Sequence, residues 1–206
     1  MIALCDRLCM TLAQYLDWEP QQLEKYEYLN GEAYAMTGGT IPHNRIAINL
    51  IAALHPHLRD RGCLVLGSDA KVVISESGPS FYPDVVVTCD PRDRTAIAAI
   101  RYPSLIIEVL SPGTESFDRG DKFRFYRSLP SLQEYALINS DRPNIEIFRL
   151  NTSQKWELTA YEAGDSVALR SLDFTISIDL IYEDVTLPTS NSAQQSPEQK
   201  LPVLTV

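Results

Sequence analysis

Apolar positions along this chain follow two rhythms. Between residues 43 and 60 they recur at helical spacing, with His43, Ile46, Leu50 and Leu54 on one face. From residue 63 onward the rhythm becomes that of strands, predicted at 63–67, 70–75, 82–88 and 104–110, then at 133–139, 144–150, 156–162 and 166–169. VVV at 85–87 and LII at 105–107 are apolar without alternation, the pattern of strands covered on both faces. A further helix is predicted over 117–129, and a short one over TLAQYLDW, with Thr11 as its N-cap and Leu12, Tyr15 and Leu16 at helical spacing. Pro20 ends or restarts that short helix, and Pro56 kinks or closes the long one. Asn30-Gly31 between YEYL and EAYAM is a strong hairpin signal. SLDFTISIDLIY reads as an edge strand or a docking segment. The order predicts an α+β (mixed α/β) fold, a central mixed β-sheet flanked by helices.

Length and charge narrow this picture. A chain of 206 residues suits one well-cored domain, expected over 1–185. From Thr186 the chain turns rich in Ser, Gln, Pro and Thr, so 186–206 is expected to be a disordered tail. The formal net charge of -9 argues against a broad electrostatic grip on nucleic acid, although a local basic cluster or a divalent ion would offset it at one point. Cys5, Cys9, Cys63 and Cys89 are scattered without C-x-x-C spacing, which predicts free thiols rather than a zinc site or a disulfide framework. MIALCDRLCM reaches Asp6 and Arg7 too soon for a signal peptide, and no apolar run approaches the roughly 20 residues of a membrane span. A cytoplasmic protein without membrane contact is the expectation.

The chemistry-bearing residues sit where charge is costly. Glu108 interrupts LIIEVL, sharing a strand face with Ile106 and Leu110. It reads either as a strand-end acid paired with an arginine or as a metal ligand. Asp84 opens the run VVV after Pro83, an ordinary place for an aspartate when taken alone. On adjacent strands the two carboxylates would meet, and carboxylates facing open space suit Mg²⁺. At 100° steps Lys122 shares a helix face with Phe125, Tyr126 and Leu129, while Arg124, Arg127 and Ser128 face the other way. A lysine on a core-facing side needs a partner. Lys122 therefore points at a carboxylate, as a structural ion pair or as part of a catalytic site. Lys71 in SDAKVVI is the rival lysine, predicted to face outward.

The pieces YEYLNGE (26–32), TIPHNRIAINL (40–50), PDVVV (83–87), EVLSP (108–112), DRGDKFRFY (118–126) and QEYALIN (133–139) occur in order. Together they resemble the PD-(D/E)XK nuclease superfamily and, more narrowly, a bacterial family of restriction-endonuclease-like proteins (Uma2-like), over roughly residues 10–182. The resemblance implies a restriction-endonuclease-like core. It implies that Asp84 and Glu108 bind Mg²⁺, or Mn²⁺, together with the backbone carbonyl of Val109. The superfamily's lysine two positions after the glutamate is here Leu110. In the narrower family a lysine from the next helix replaces it, and Lys122 matches that place. Glu27, Glu32 and His43 match family positions near the site, with supporting or structural roles expected.

The implied reaction is metal-dependent hydrolysis of a DNA phosphodiester bond, with Lys122 orienting the attacking water or stabilising developing charge, and a homodimer by analogy. Asp84→Ala and Lys122→Ala are each expected to abolish cleavage without unfolding the protein. The alternative keeps the fold without catalysis, as a nuclease-like binding or assembly module, which the low basicity favours.

Overall fold

The computed structural model describes residues 9–188, so the reading of the first eight residues and most of the expected tail lie outside the described part. Helix α1 (Leu12–Trp18) starts at Thr11 in a capping box: Thr11 Oγ1 accepts from the Gln14 N–H, and Gln14 Oε1 accepts from the Thr11 N–H at 2.8 Å. It lays Leu12 and Tyr15 on the hairpin β1 (Tyr26–Leu29)–β2 (Glu32–Ala35). Asn30 and Gly31 have φ of 52° and 90°, the paired positive angles that a two-residue hairpin turn requires.

Helix α2 (Ile41–Leu58) is capped by Thr40 and buries Ile46, Leu50, Leu54 and Leu58 along one stripe. Pro56 lies inside it, two residues before its end, so the proline sits close to where the helix closes.

The main sheet has six strands in the order β10-β9-β8-β7-β6-β3. These are β3 (Leu64–Gly67), β6 (Val85–Thr88), β7 (Leu105–Leu110), β8 (Glu134–Asn139), β9 (Asn144–Leu150) and β10 (Trp156–Glu162). Only β7 and β8 pair in parallel; the other neighbours are antiparallel. A parallel pair needs a crossover. It is formed by α3 (Glu115–Phe117), a π segment (Asp118–Lys122) and α4 (Phe123–Tyr126), where the sequence predicts one continuous helix.

Both faces of β7 are covered. Leu105, Ile107 and Val109 join α2 in one core, while Ile106 and Leu110 join Phe123, Tyr126, Leu129 and Tyr135 in the other. A second sheet, β2-β1-β5-β4, adds β4 (Val72–Val73) and β5 (Ser80–Phe81). Two-residue strands leave too little periodicity to predict, and β5 went unpredicted. The segment 171–182 divides: its first residues close a 3-10 turn, β12 (Phe174–Ser177) pairs with β11 (Ser166–Leu169), and α5 (Ile178–Ile181) docks on α2 through Asn49 Nδ2 and the Ile181 carbonyl at 3.0 Å. No helix among the described residues is long and apolar enough to cross a membrane.

Two expectations are corrected. Cys63 and Cys89 form a disulfide rather than standing as free thiols. The reason is register: β3 pairs β6 with Leu64 opposite Thr88, which puts Cys63 opposite Cys89. Cys9 is free and exposed. Lys71 faces inward, 8% exposed, with Nζ 2.6 Å from Glu19 Oε2. Its partner comes from the 3-10 turn Glu19–Gln21, which local alternation around residue 71 could not reveal.

Candidate active site

Antiparallel pairing of β6 and β7 sets Val85 opposite Ile107, so Asp84, one step before β6, lies in register with Glu108. Its Oδ2 accepts the Val109 N–H at 2.7 Å, pinning the carboxylate to the strand that carries Glu108. His43, in the first turn of α2, places Nε2 3.2 Å from the same oxygen. Gly39 makes room for that ring, because a Cβ there would lie 2.7 Å from His43 Nδ1.

Lys122 arrives from the crossover. Its ammonium lies 3.1 Å from Glu27 Oε1, 3.3 Å from Glu108 Oε1 and 3.4 Å from Asp118 Oδ1. All four residues are buried, Lys122 at 6% exposure. Tyr126, one turn beyond Lys122, donates its hydroxyl to Glu108 Oε1 at 3.3 Å. Glu27, on β1, also accepts the Tyr82 N–H at 3.2 Å, fixing its carboxylate to the segment that leads from β5 to β6. The Tyr135 hydroxyl donates to the Asp118 carbonyl at 2.9 Å, engaging one backbone oxygen in the π segment. A cleft of about 630 Å³ opens over this floor, lined by His43, Asp84, Glu108, Val109, Asp118 and Lys122 among others.

The electrostatics follow from burial. Desolvation raises the Glu108 carboxyl well above the ordinary range; Lys122 pulls it back, while Asp118, Asp84 and Glu27 push it further up. Burial likewise raises Asp118 against the pull of Lys122. For Lys122 burial works against the charge, yet Glu108, Glu27 and Asp118 outweigh it and hold the ammonium charged. For His43 burial also opposes the charge, and the Asp84 carboxylate outweighs it.

The donors suit a hard cation: the Asp84 and Glu108 carboxylates and the Val109 carbonyl are all oxygen. Four carboxylates gather around one ammonium and one imidazole, a deficit of positive charge that a divalent ion would fill. Among the described residues no group of three His, Cys, Asp or Glu side chains is arranged to hold an ion as it stands. Glu27, Glu108 and Asp118 turn toward Lys122 instead, while Asp84 Oδ2 faces the Val109 N–H and His43.

Of the residues singled out in the sequence, Asp84, Glu108, Val109, Lys122, Glu27 and His43 come together here. Glu32 does not: it is exposed on β2, accepting the Tyr34 hydroxyl at 2.7 Å. Asp118 and the Tyr126 hydroxyl went unassigned. Asp118 lies four residues before Lys122, a helical spacing visible in DRGDK.

The family model Uma2, described as "Putative restriction endonuclease", matches residues 12–180. The chain belongs to the Uma2 family. Two proteins of Synechocystis sp. are similar to it. Uncharacterized protein slr1290 is 42% identical over 169 residues, 82% of this chain and 89% of that protein. Uncharacterized protein sll1609 is 37% identical over 161 residues, 77% of this chain and 91% of that one. Among solved structures, a protein of Anabaena variabilis described as "a putative nuclease belonging to DUF820" superposes with a TM-score of 0.69. That likeness covers 84% of this chain and 97% of the other at 17% identity, which establishes a shared fold. The Uma2 match spans every residue of the cluster around Lys122.

Proposed function

We propose that this chain is a Mg²⁺-dependent endonuclease, with Mn²⁺ as an alternative ion, that hydrolyses DNA phosphodiester bonds over the Asp84–Glu108 floor. One observation carries the reading: the crossover delivers Lys122 onto Glu108 at 3.3 Å although position 110, two residues after the glutamate, is leucine. In this reading Asp84, Glu108 and the Val109 carbonyl hold the ion. When bound, the ion supplies Lewis-acid polarisation of a phosphoryl oxygen and a water of lowered pKa. Lys122 orients the attacking water or meets charge building on the phosphoryl oxygens. His43 fixes the rotamer of Asp84, and Glu27 steadies Lys122 from the side away from β7.

Purified full-length protein incubated with supercoiled plasmid and with single-stranded oligonucleotides, in Mg²⁺ or Mn²⁺, tests the proposal. Cleavage that EDTA stops and Asp84→Ala abolishes is the expected result; intact DNA under every condition refutes it. A non-cleaving binding module is the second reading. It is favoured by a cleft lining without arginine and by an ammonium already facing three carboxylates. Mn²⁺ uptake lost in Asp84→Ala, without cleavage, selects a binding role that keeps the metal site. No uptake at all selects a module that keeps the acids for structure.

A further inference from the structure

Asp118 stands apart from the other acids. Its residue is 2% exposed, it lines the cleft, and its Oδ1 is buried without a hydrogen bond. The neighbouring acids each have an oxygen engaged by a donor: Asp84 Oδ2 by the Val109 N–H, Glu27 Oε1 by the Tyr82 N–H, Glu108 Oε1 by Lys122 and Tyr126. A buried carboxylate oxygen without a hydrogen bond is costly, and a bound ion would offset that cost. The nearest charge to Asp118 Oδ1 is Lys122 Nζ at 3.4 Å, the ammonium that also faces Glu108. Two carboxylates that converge on one ammonium can close further onto a smaller divalent ion, whose oxygen ligands lie nearer to it.

The backbone supports the same conclusion. Asp118 and Lys122 open and close the π segment, and both are buried. Interruptions of this kind recur at functional sites because they re-aim side chains that a regular helix would spread differently. A purely structural partner for Lys122 would be served already by Glu27 and Glu108, at 3.1 and 3.3 Å.

We infer that Asp118 is a further carboxylate ligand of the metal site, its Oδ1, ion-paired with Lys122 but without a hydrogen bond, extending the set of Asp84, Glu108 and the Val109 carbonyl onto the crossover. The inference rests on the metal-dependent reading above. It assigns Lys122 a second part in the metal-free protein, where the ammonium occupies the carboxylates that the ion would take.

Calorimetric titration of Mn²⁺ into the metal-free full chain tests it, with Glu27→Gln as the matched control. Glu27 carries the same charge against the same ammonium, but its Oε1 already has a backbone donor. Asp118→Asn is expected to weaken Mn²⁺ binding at least about tenfold more than Glu27→Gln, which removes only a supporting acid. Equal weakening in the two variants means that Asp118 acts through charge alone, and overturns the assignment. Unchanged binding in Asp118→Asn, with binding lost in Asp84→Ala, overturns it while the metal site stands. No Mn²⁺ uptake by the wild type overturns both. Thermal melts establish that each variant is folded; if Asp118→Asn is not, Asp118→Ser takes its place with the same expected loss.

Discussion

Replacing Lys122 by methionine separates its electrostatic part from its packing. Methionine keeps an unbranched chain of similar length, so the cavity term is small. The charge is lost. Glu27, Glu108 and Asp118, each at most 4% exposed, then face one another without the ammonium that lies 3.1 to 3.4 Å from all three. Removing one partner of a buried ion pair costs about 3–5 kcal/mol, because the remaining charge is left uncompensated. For a chain of this size each kcal/mol moves the melting temperature by about 2–4 °C, so Lys122→Met should melt about 6–20 °C lower in EDTA. Urea denaturation of the metal-free protein measures the free energy directly.

A second substitution identifies the cause. Adding Glu108→Gln removes one of the stranded charges and should recover about 1–3 kcal/mol, although Glu108→Gln alone, which takes a partner from Lys122, does not stabilise the wild type. If Lys122→Met unfolds within about 0.5 kcal/mol of wild type, or if the added glutamine recovers nothing, the ammonium is not what holds these acids together. The outcome also bears on cleavage assays. The sequence suggests that Lys122→Ala leaves the fold intact, whereas the structure makes the lysine part of it. Lost activity in a Lys122 variant is informative only beside its melting curve.

Asp84→Ala should abolish Mn²⁺ uptake in calorimetry while costing only about 1 kcal/mol in urea, since the Val109 N–H it frees lies at the cleft floor. Glu32→Gln should leave both metal binding and plasmid cleavage at wild-type values, because the side chain is exposed on β2. Lys71→Met should destabilise the protein by about 3–5 kcal/mol in urea, stranding buried Glu19, yet leave the cleavage rate at low temperature unchanged. Cys63→Ser should cost about 3 kcal/mol through the lost 26-residue cross-link, and alkylation before reduction should leave Cys63 and Cys89 unlabelled by mass spectrometry.

Much of the site is legible because charge inside apolar runs is improbable without a reason. Glu108 stands out in LIIEVL, and Lys122 stands out once its helix face is drawn. The π segment that ends at Lys122 was not legible, because regular 100° steps give no sign of it. Contacts across long separations were not legible. Glu27 reaches Lys122 only because a two-residue strand and a hairpin fold over the crossover, and Glu19 finds Lys71 across 52 positions. The Cys63–Cys89 pairing waited on a strand register that no local pattern specifies.

Glu134 shows why an acid in an apolar strand does not by itself mark a site. It sits in EYALIN much as Glu108 sits in LIIEVL, and it is equally buried at 2% against 3%. Its cation is its own cross-strand neighbour: β8 and β9 pair Glu134 with Arg149, whose Nε lies 2.7 Å from Oε1. Backbone donors complete the set, Arg170 N–H on Oε1 at 3.1 Å and Ser171 N–H on Oε2 at 2.9 Å, with the Ser171 hydroxyl on Oε2 at 2.6 Å. Both oxygens are saturated, which is the signature of a structural carboxylate. Glu108 receives only Lys122 and Tyr126, both on one oxygen at 3.3 Å, and no backbone donor. Its cation comes from a crossover rather than from the sheet, and it borders open space. The distinction lies in the supply of donors. A carboxylate that the fold leaves short of them, beside a cleft and among other acids, is one with coordination left to give to a partner from outside the chain.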